Sequence, residues 1–242
     1  MESIVKNSAR IGRFTSSKIS VLMDKGNVGG SGFSAGALTY INKKANERDL
    51  NRSLDLGISA RSAQWGLFLE QYVFNGFVGL EYKILANETK IFNDYLAGST
   101  DLIVKGVKVS DIKCFEPDKF CRYSKMILSK NIDNFKSNFK SEYWQLVSNA
   151  IINNVPNAEA IAFMPYEDEL EEIKDLAANY DGADQYKYRF ISESENHQLP
   201  YVPKGSKFKN LNTFEFVVPV EDKELLLERI SLASFILEEN II

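Results

Sequence analysis

Residues 97–115, A-G-S-T-D-L-I-V-K-G-V-K-V-S-D-I-K-C-F, constrain the chain more than any other stretch. Two short apolar runs flank Lys105–Gly106, the pattern of two strands joined by a tight turn. Side chains alternate across a strand, so Asp111 and Lys113 must point to one face. A hairpin also brings Asp101, which precedes the first run, back towards them. Two carboxylates and a lysine thus converge at one end of a sheet.

What such a cluster can do is bounded by what the chain lacks. There is one histidine in 242 residues, His197, and it lies in the polar run S-E-S-E-N-H-Q. Zinc–histidine sites and Ser-His-Asp triads need a well-placed imidazole. Cys114 and Cys121 are the only cysteines, too few for a disulfide scaffold or a four-thiolate centre. Hydrolytic chemistry here must rest on carboxylates, lysine and a hard metal ion. Oxygen ligands hold Mg²⁺ while leaving positions open, and Mn²⁺ accepts the same donors. Asp101 and Asp111 are the natural ligands, with the Ile112 carbonyl available from the strand backbone and Glu70, on a buried helix upstream, as a further ligand directly or through water. Lys113 can orient or deprotonate a water, or offset charge on a phosphodiester.

Around this hairpin the chain reads as one α/β domain spanning residues 1–242, with a mixed central sheet flanked by helices. Arg10 and Arg13 precede a helix start at Thr15 or Ser16; an ordinary capped helix is the plainer reading, anion binding the other. The glycine-rich run 26–36 lacks a closing G-K-[ST] and reads as a connector. Residues 34–50 suit an amphipathic helix with Leu38, Ile41 and Ala45 inward and Lys43, Lys44 and Glu47 outward. A nearly all-apolar helix, capped by Ser59, carries Glu70 at its middle; a polar edge and a functional carboxylate are equally consistent with it. Strands are expected at 82–85, 91–95, 158–164, 186–191 and 214–220. Helices are expected at 141–154, 167–179 and 221–242, the last inward through Leu225, Leu226, Ile230, Leu232 and Phe235. Residues 192–210 read as a long polar loop.

Residues 115–140 interleave Lys119, Arg122 and Lys125 with Phe120 and Tyr123. The neighbouring cluster favours phosphate contact over a merely solvated surface. The net charge of −4 runs mildly against nucleic-acid binding. No apolar run is long enough to span a bilayer and the N-terminus has no signal-peptide core, so a soluble, cytoplasmic protein with no membrane partner is expected.

Four segments together resemble the lambda exonuclease-like viral recombinases of the PD-(D/E)xK nuclease superfamily: R-I-G-R-F-T-S-S at 10–17, A-Q-W-G-L-F-L-E at 63–70, the hairpin at 97–114, and E-Y-W-Q-L-V at 142–147. The resemblance implies a restriction-endonuclease-like core. It implies Mg²⁺-dependent 5′–3′ digestion of double-stranded DNA from a 5′-phosphorylated end, serving recombination by single-strand annealing. Asp101, Asp111 and Lys113 match the catalytic triplet, Glu70 the helix carboxylate and Gln145 the downstream glutamine. Arg10 matches a 5′-phosphate-binding arginine, with Ser17 in the same motif. A ring-like homo-oligomer (a trimer), a single-strand annealing protein as partner, and a phage or prophage origin in a bacterial host are further implications. Thr100 stands where the motif has proline, and Asp111 where close relatives carry glutamate. A structure-directed or repair endonuclease of the same fold and a catalytically silent DNA-binding module are the competing readings.

Overall fold

A computed structural model describes residues 8–55, 60–78 and 89–241. The expected mixed sheet forms as two. A three-stranded sheet has the order β1–β3–β2, from Phe14–Thr15, Leu96–Ser99 and Thr89–Ile91. A four-stranded sheet has the order β4–β5–β6–β7, from Leu102–Val104, Lys108–Lys113, Asn157–Phe163 and Leu211–Val217. In the second, β5 pairs antiparallel with β4, parallel with β6, and β6 antiparallel with β7. The chain leaves the first sheet at Ser99 and enters the second at Leu102, so Thr100 and Asp101 fall in the break.

The hairpin forms as the sequence requires. Val107 N–H bonds the Val104 carbonyl at 2.9 Å, and Gly106 sits at φ +76°, a conformation favouring glycine. Register pairs Leu102 with Ser110 and Val104 with Lys108.

Pleat alternation divides the core. Ala158, Ala160, Ala162 and Val109 face one apolar cluster; Ile161, Phe163, Leu102 and Ile112 face another. The first cluster is closed by α1 (Ala35–Asp49), α3 (Pro117–Ser129), α4 (Ile132–Asn138), α5 (Lys140–Asn153) and α8 (Val220–Glu239). The second is closed by α2 (Arg61–Val73), α6 (Leu170–Ala178) and α7 (Arg189–Glu193). Helices on both faces leave β5 and β6 buried, which suits the largely apolar β6 but takes Ser110 and Asp111 of β5 inside with it. Among the described residues no helix is long and apolar enough to cross a membrane.

Several expectations are corrected. Residues 16–23 form a 3₁₀ helix, and Thr15 makes no side-chain cap. The glycine-rich run is ordered by its own contacts: Gly32 N–H donates to Asn27 Oδ1 at 2.8 Å, and Arg229 Nη1 donates to the Gly32 carbonyl at 2.9 Å. Ser34 caps α1 by accepting from Ala37 N–H. Lys44 and Glu47 on that helix are buried, not outward. The expected cap at Ser59 and the strand at 82–85 lie outside the described residues. Residues 91–95 are a strand end and a turn, because Asn93 Oδ1 accepts from Tyr95 and Leu96 N–H. Residues 186–191 are helical turns, packed through Tyr188 and Ile191 into the second cluster. The loop at 192–210 contains a 3₁₀ turn at Asn196–Gln198 and a bridge from Val202 to Tyr166. On α8 the buried stripe is Leu226, Ile230, Ala233 and Leu237, whereas Leu225, Leu232 and Phe235 are exposed.

Candidate active site

Asp101, Asp111, Lys113 and Gln145 meet at the end of β5. Beyond Leu102, β4 has ended, so the Ile112 N–H has no strand partner on that side. The Asp101 carboxyl takes it, with Oδ2 accepting at 2.7 Å. N–H and C=O of one strand residue point to the same side, so the Ile112 carbonyl opens on this edge too.

Asp111 and Lys113 share a face, as the alternation requires, and that face meets α5. Lys113 Nζ lies 2.8 Å from Asp111 Oδ2. Gln145 clasps both: its Nε2 donates to Asp111 Oδ1 at 2.6 Å and its Oε1 accepts from Lys113 Nζ at 3.3 Å. Asp111 is fully buried, so these contacts offset an otherwise prohibitive desolvation.

Charge in the cluster is out of balance. Three carboxyl groups, Glu70, Asp101 and Asp111, face one ammonium. Burial pushes Asp101 well above the usual carboxylate range, Asp111 and Glu70 add to it, and Lys113 opposes. Burial also pushes Asp111 up, against the Lys113 ion pair and a hydrogen bond from Asp101. Both aspartates are thus pushed up by burial, and Lys113 opposes the rise at each. Burial lifts Glu70 to about 7, with Lys113 opposing and Asp111 adding. Burial alone would lower Lys113, but Asp111, Asp101 and Glu70 outweigh it and hold the ammonium charged. Burial raises the adjacent Cys114 thiol far from thiolate chemistry.

A divalent cation fits this donor set. The ligands are hard oxygens, Asp101 and Asp111 both lie at the end of β5, and the excess charge is negative. Mg²⁺ needs only one or two carboxylates and keeps several waters. Among the described residues no three acidic, thiol or imidazole groups form a ready-made metal cage. Asp101, Asp111 and the Ile112 carbonyl are the available ligands. The Glu70 carboxyl, on α2, makes no hydrogen bond or ion pair among the described residues and acts on the pair through its charge.

Arg10 is tied to the end of β3, the strand that leads into Asp101. Its Nη2 donates to Ser99 Oγ at 2.6 Å, two residues before Asp101, and Ser99 Oγ is 3.0 Å from Thr89 Oγ1. No carboxylate pairs with it among the described residues, and burial lowers its pKa while Asp55 opposes. The buried ion pair Lys44–Glu47, at 2.8 Å, sets its backbone: Glu47 Oε2 accepts from Gly12 N–H at 3.1 Å, and Lys44 Nζ approaches the Arg10 carbonyl at 3.5 Å. Gly12 has φ +63°, and a Cβ there would run into the Arg48 side chain.

The other expected contacts are dispersed. Ser17 is exposed, whereas Ser16 is buried, 2.9 Å from Ser148 Oγ. Arg13 donates to the Asn93 carbonyl at 3.3 Å. Lys119 is tied to Glu142 at 2.7 Å and stacks on Phe115; Arg122 is exposed and pairs with Asp118 at 3.0 Å. Ser99 was not singled out in the sequence, although its place two residues before Asp101 marks it. The Asn153–Thr100 contact was also missed: Asn153 Nδ2 donates to Thr100 Oγ1 at 3.0 Å and to the Asn149 carbonyl at 2.9 Å. It pins the break between the sheets.

No protein-family model and no curated protein sequence matches the chain. Solved structures do. LHK-Exo in complex with dAMP is 13% identical, with a TM-score of 0.61, covering 98% of this chain and 93% of that one. The alkaline exonuclease LHK-Exo from Laribacter hongkongensis gives 13% and 0.57, covering 98% and 92%. A phage-related exonuclease from Haemophilus somnus 129PT gives 13% and 0.58, covering 94% of each chain. At this identity the likeness is one of fold, and it extends over nearly the whole of each chain.

Proposed function

We propose that the chain is a Mg²⁺-dependent exonuclease that digests double-stranded DNA from a 5′-phosphorylated end. The observation that carries this reading is the Asp101–Asp111–Lys113–Gln145 cluster at the open end of β5, on a fold shared with exonucleases. Asp101, Asp111 and the Ile112 carbonyl would hold the cation. When bound, it supplies charge stabilisation at the phosphodiester and acidifies water. Lys113, kept as an ammonium by its neighbours, offsets negative charge gathering at the scissile phosphate. Gln145 fixes the directions of Asp111 and Lys113 together, so that neither must reorganise during cleavage. Arg10, with Ser99, offers a charged-and-hydroxyl pair to a terminal phosphate; an unpaired, partly buried guanidinium favours such a dianion. A role in recombination by single-strand annealing, with an annealing protein as partner and a ring-like homo-oligomer, completes the proposal.

The test is digestion of linear, nicked and covalently closed duplex DNA with Mg²⁺, with and without a 5′ phosphate. Loss of linear DNA only, faster from phosphorylated ends, is expected. Cutting of closed circles would replace this reading with an endonuclease. No cleavage in Mg²⁺ or Mn²⁺ would leave a silent DNA-binding module.

A further inference from the structure

Arg10 and Ser99 lie 89 residues apart along the chain, yet their side chains meet at 2.6 Å. Each sits on a short arm. Arg10 precedes β1 by four residues, and Ser99 is the last residue of β3, which runs parallel to β1. The two strands share only two paired positions, Phe14 with Leu96 and Thr15 with Ala97. One further bond precedes them, from Phe14 N–H to the Tyr95 carbonyl at 2.7 Å. So short a pairing leaves the angle of the turn in front of it open. The turn at 10–12 needs another tie to hold it in place against β3.

Arg48, on α1, supplies it. Its guanidinium makes three contacts in three directions. Nε donates to the carbonyl of Gly12, two residues after Arg10, at 3.0 Å. Nη2 donates to the carbonyl of Asp94, in the turn that leads into β3, at 2.8 Å. Nη1 pairs with Glu238 Oε1, in the last turn of α8, at 2.6 Å. One planar group thus ties the arm of Arg10 to the arm of Ser99 and anchors both to the C-terminal helix. The stem is part of the fit, since a Cβ on Gly12 would lie 2.2 Å from Arg48 Cγ. Lys44 and Glu47 share this helix face and reach the same turn, so the end of α1 is shaped around residues 10–12.

We propose that Arg48 is a positioning residue for recognition of a terminal phosphate, setting how the Arg10 guanidinium and the Ser99 hydroxyl stand to one another without touching the DNA itself. The proposal rests on the reading of Arg10 and Ser99 as the pair that meets that phosphate. A surface ion pair alone, such as Arg48 with Glu238, is worth little. What sets Arg48 apart is that its other two nitrogens bond backbone carbonyls on two different arms. The spacing of the arms then follows the fixed geometry of the guanidinium. Lysine keeps the charge but gathers its donors on one atom and cannot hold both carbonyls in those directions. A misplacement of about 1 Å is enough to spoil a two-point contact with an end group. General affinity for a duplex, spread over many backbone phosphates, is far less sensitive to it.

Fluorescence anisotropy of the full chain with short blunt duplexes, alike but for a 5′-phosphate or a 5′-hydroxyl, tests this in EDTA, where binding is read without cleavage. The wild type should bind the phosphorylated duplex roughly tenfold more tightly. Arg48→Lys, which keeps the stem and a charge facing Glu238, should bind the two within about twofold of each other and hold its affinity for the hydroxyl end. Added to Arg10→Ala, the same substitution should change the ratio no further, because it acts through Arg10. A merely structural role would weaken both duplexes alike. That outcome, a wild type that binds both ends equally, or an Arg48→Lys protein with the full preference overturns the proposal. A chain that digests linear duplex in Mg²⁺ while Arg48→Lys keeps the preference loses only this positioning role. One whose preference falls in Arg48→Lys but which digests nothing loses only the exonuclease reading.

Discussion

Replacing Glu70 by glutamine should stabilise the metal-free protein at pH 8. In the folded chain the Glu70 carboxyl is lifted from 4.5 to about 7 by burial, with Asp111 adding and Lys113 opposing. Between these two values the folded state holds a proton that the unfolded state has lost. Stability therefore falls as pH rises through this window, and the neutral form's advantage is fully present below 4.5 and gone above about 7. One pKa unit corresponds to about 1.4 kcal/mol, so ionising Glu70 costs the fold on the order of 3 kcal/mol at pH 8. Glutamine keeps the shape and removes that cost. For a chain of this length the gain corresponds to roughly 6–12 °C in Tm. The assay is thermal unfolding of both proteins in EDTA at pH 5 and pH 8. The reasoning requires a gain at pH 8 that shrinks to roughly a quarter of that size at pH 5. A glutamine variant equally stable with the wild type at pH 8, or stabilised alike at both pH values, would refute it.

Three further outcomes follow from the contacts around the cluster. Glu47→Ala leaves Lys44 buried without its counter-charge and strips the acceptor from Gly12 and Leu54 N–H; urea unfolding should register a loss of roughly 3–5 kcal/mol. Asn153→Ala and Thr100→Val each remove the pin beside Asp101; each should lower the cleavage rate at a stability cost of about 1 kcal/mol, and the double variant should be no worse than either single one. Arg10→Ala should reduce the rate ratio between 5′-phosphorylated and 5′-hydroxyl duplex ends, measured by competition, while leaving folding intact.

The hairpin and the shared face of Asp111 and Lys113 were readable because they depend on local alternation and one turn. Contacts across long separations were not. That Gln145 spans Asp111 and Lys113 depends on how α5 crosses β5, which no local pattern encodes. Lys44 and Glu47 looked solvated because charge at helical spacing usually is; their burial is specified by the distant turn at Arg10–Gly12, whose amide needs an acceptor. Residues 186–191, Y-K-Y-R-F-I, have strand-like composition, but Tyr188 packs on Phe68 with centroids 5.2 Å apart and the segment turns helical. On α8 apolar residues occur nearly all round, so periodicity offered more than one stripe. Packing chose Leu226, Ile230, Ala233 and Leu237. The division into two sheets was likewise hidden, since Thr100 and Asp101 interrupt the strands without a glycine or proline to announce it.

The central claim is that Asp101, Asp111 and Lys113 at the end of β5 cleave DNA. Its most direct test is the release of acid-soluble nucleotides from a 5′-phosphorylated linear duplex, in Mg²⁺ and in EDTA. Wild type is compared with Asp101→Ala and Lys113→Ala proteins of verified fold. Release by the wild type in Mg²⁺ alone is expected, with each variant slower by at least about a hundredfold. Full activity in either variant, or undiminished release in EDTA, would contradict the assignment.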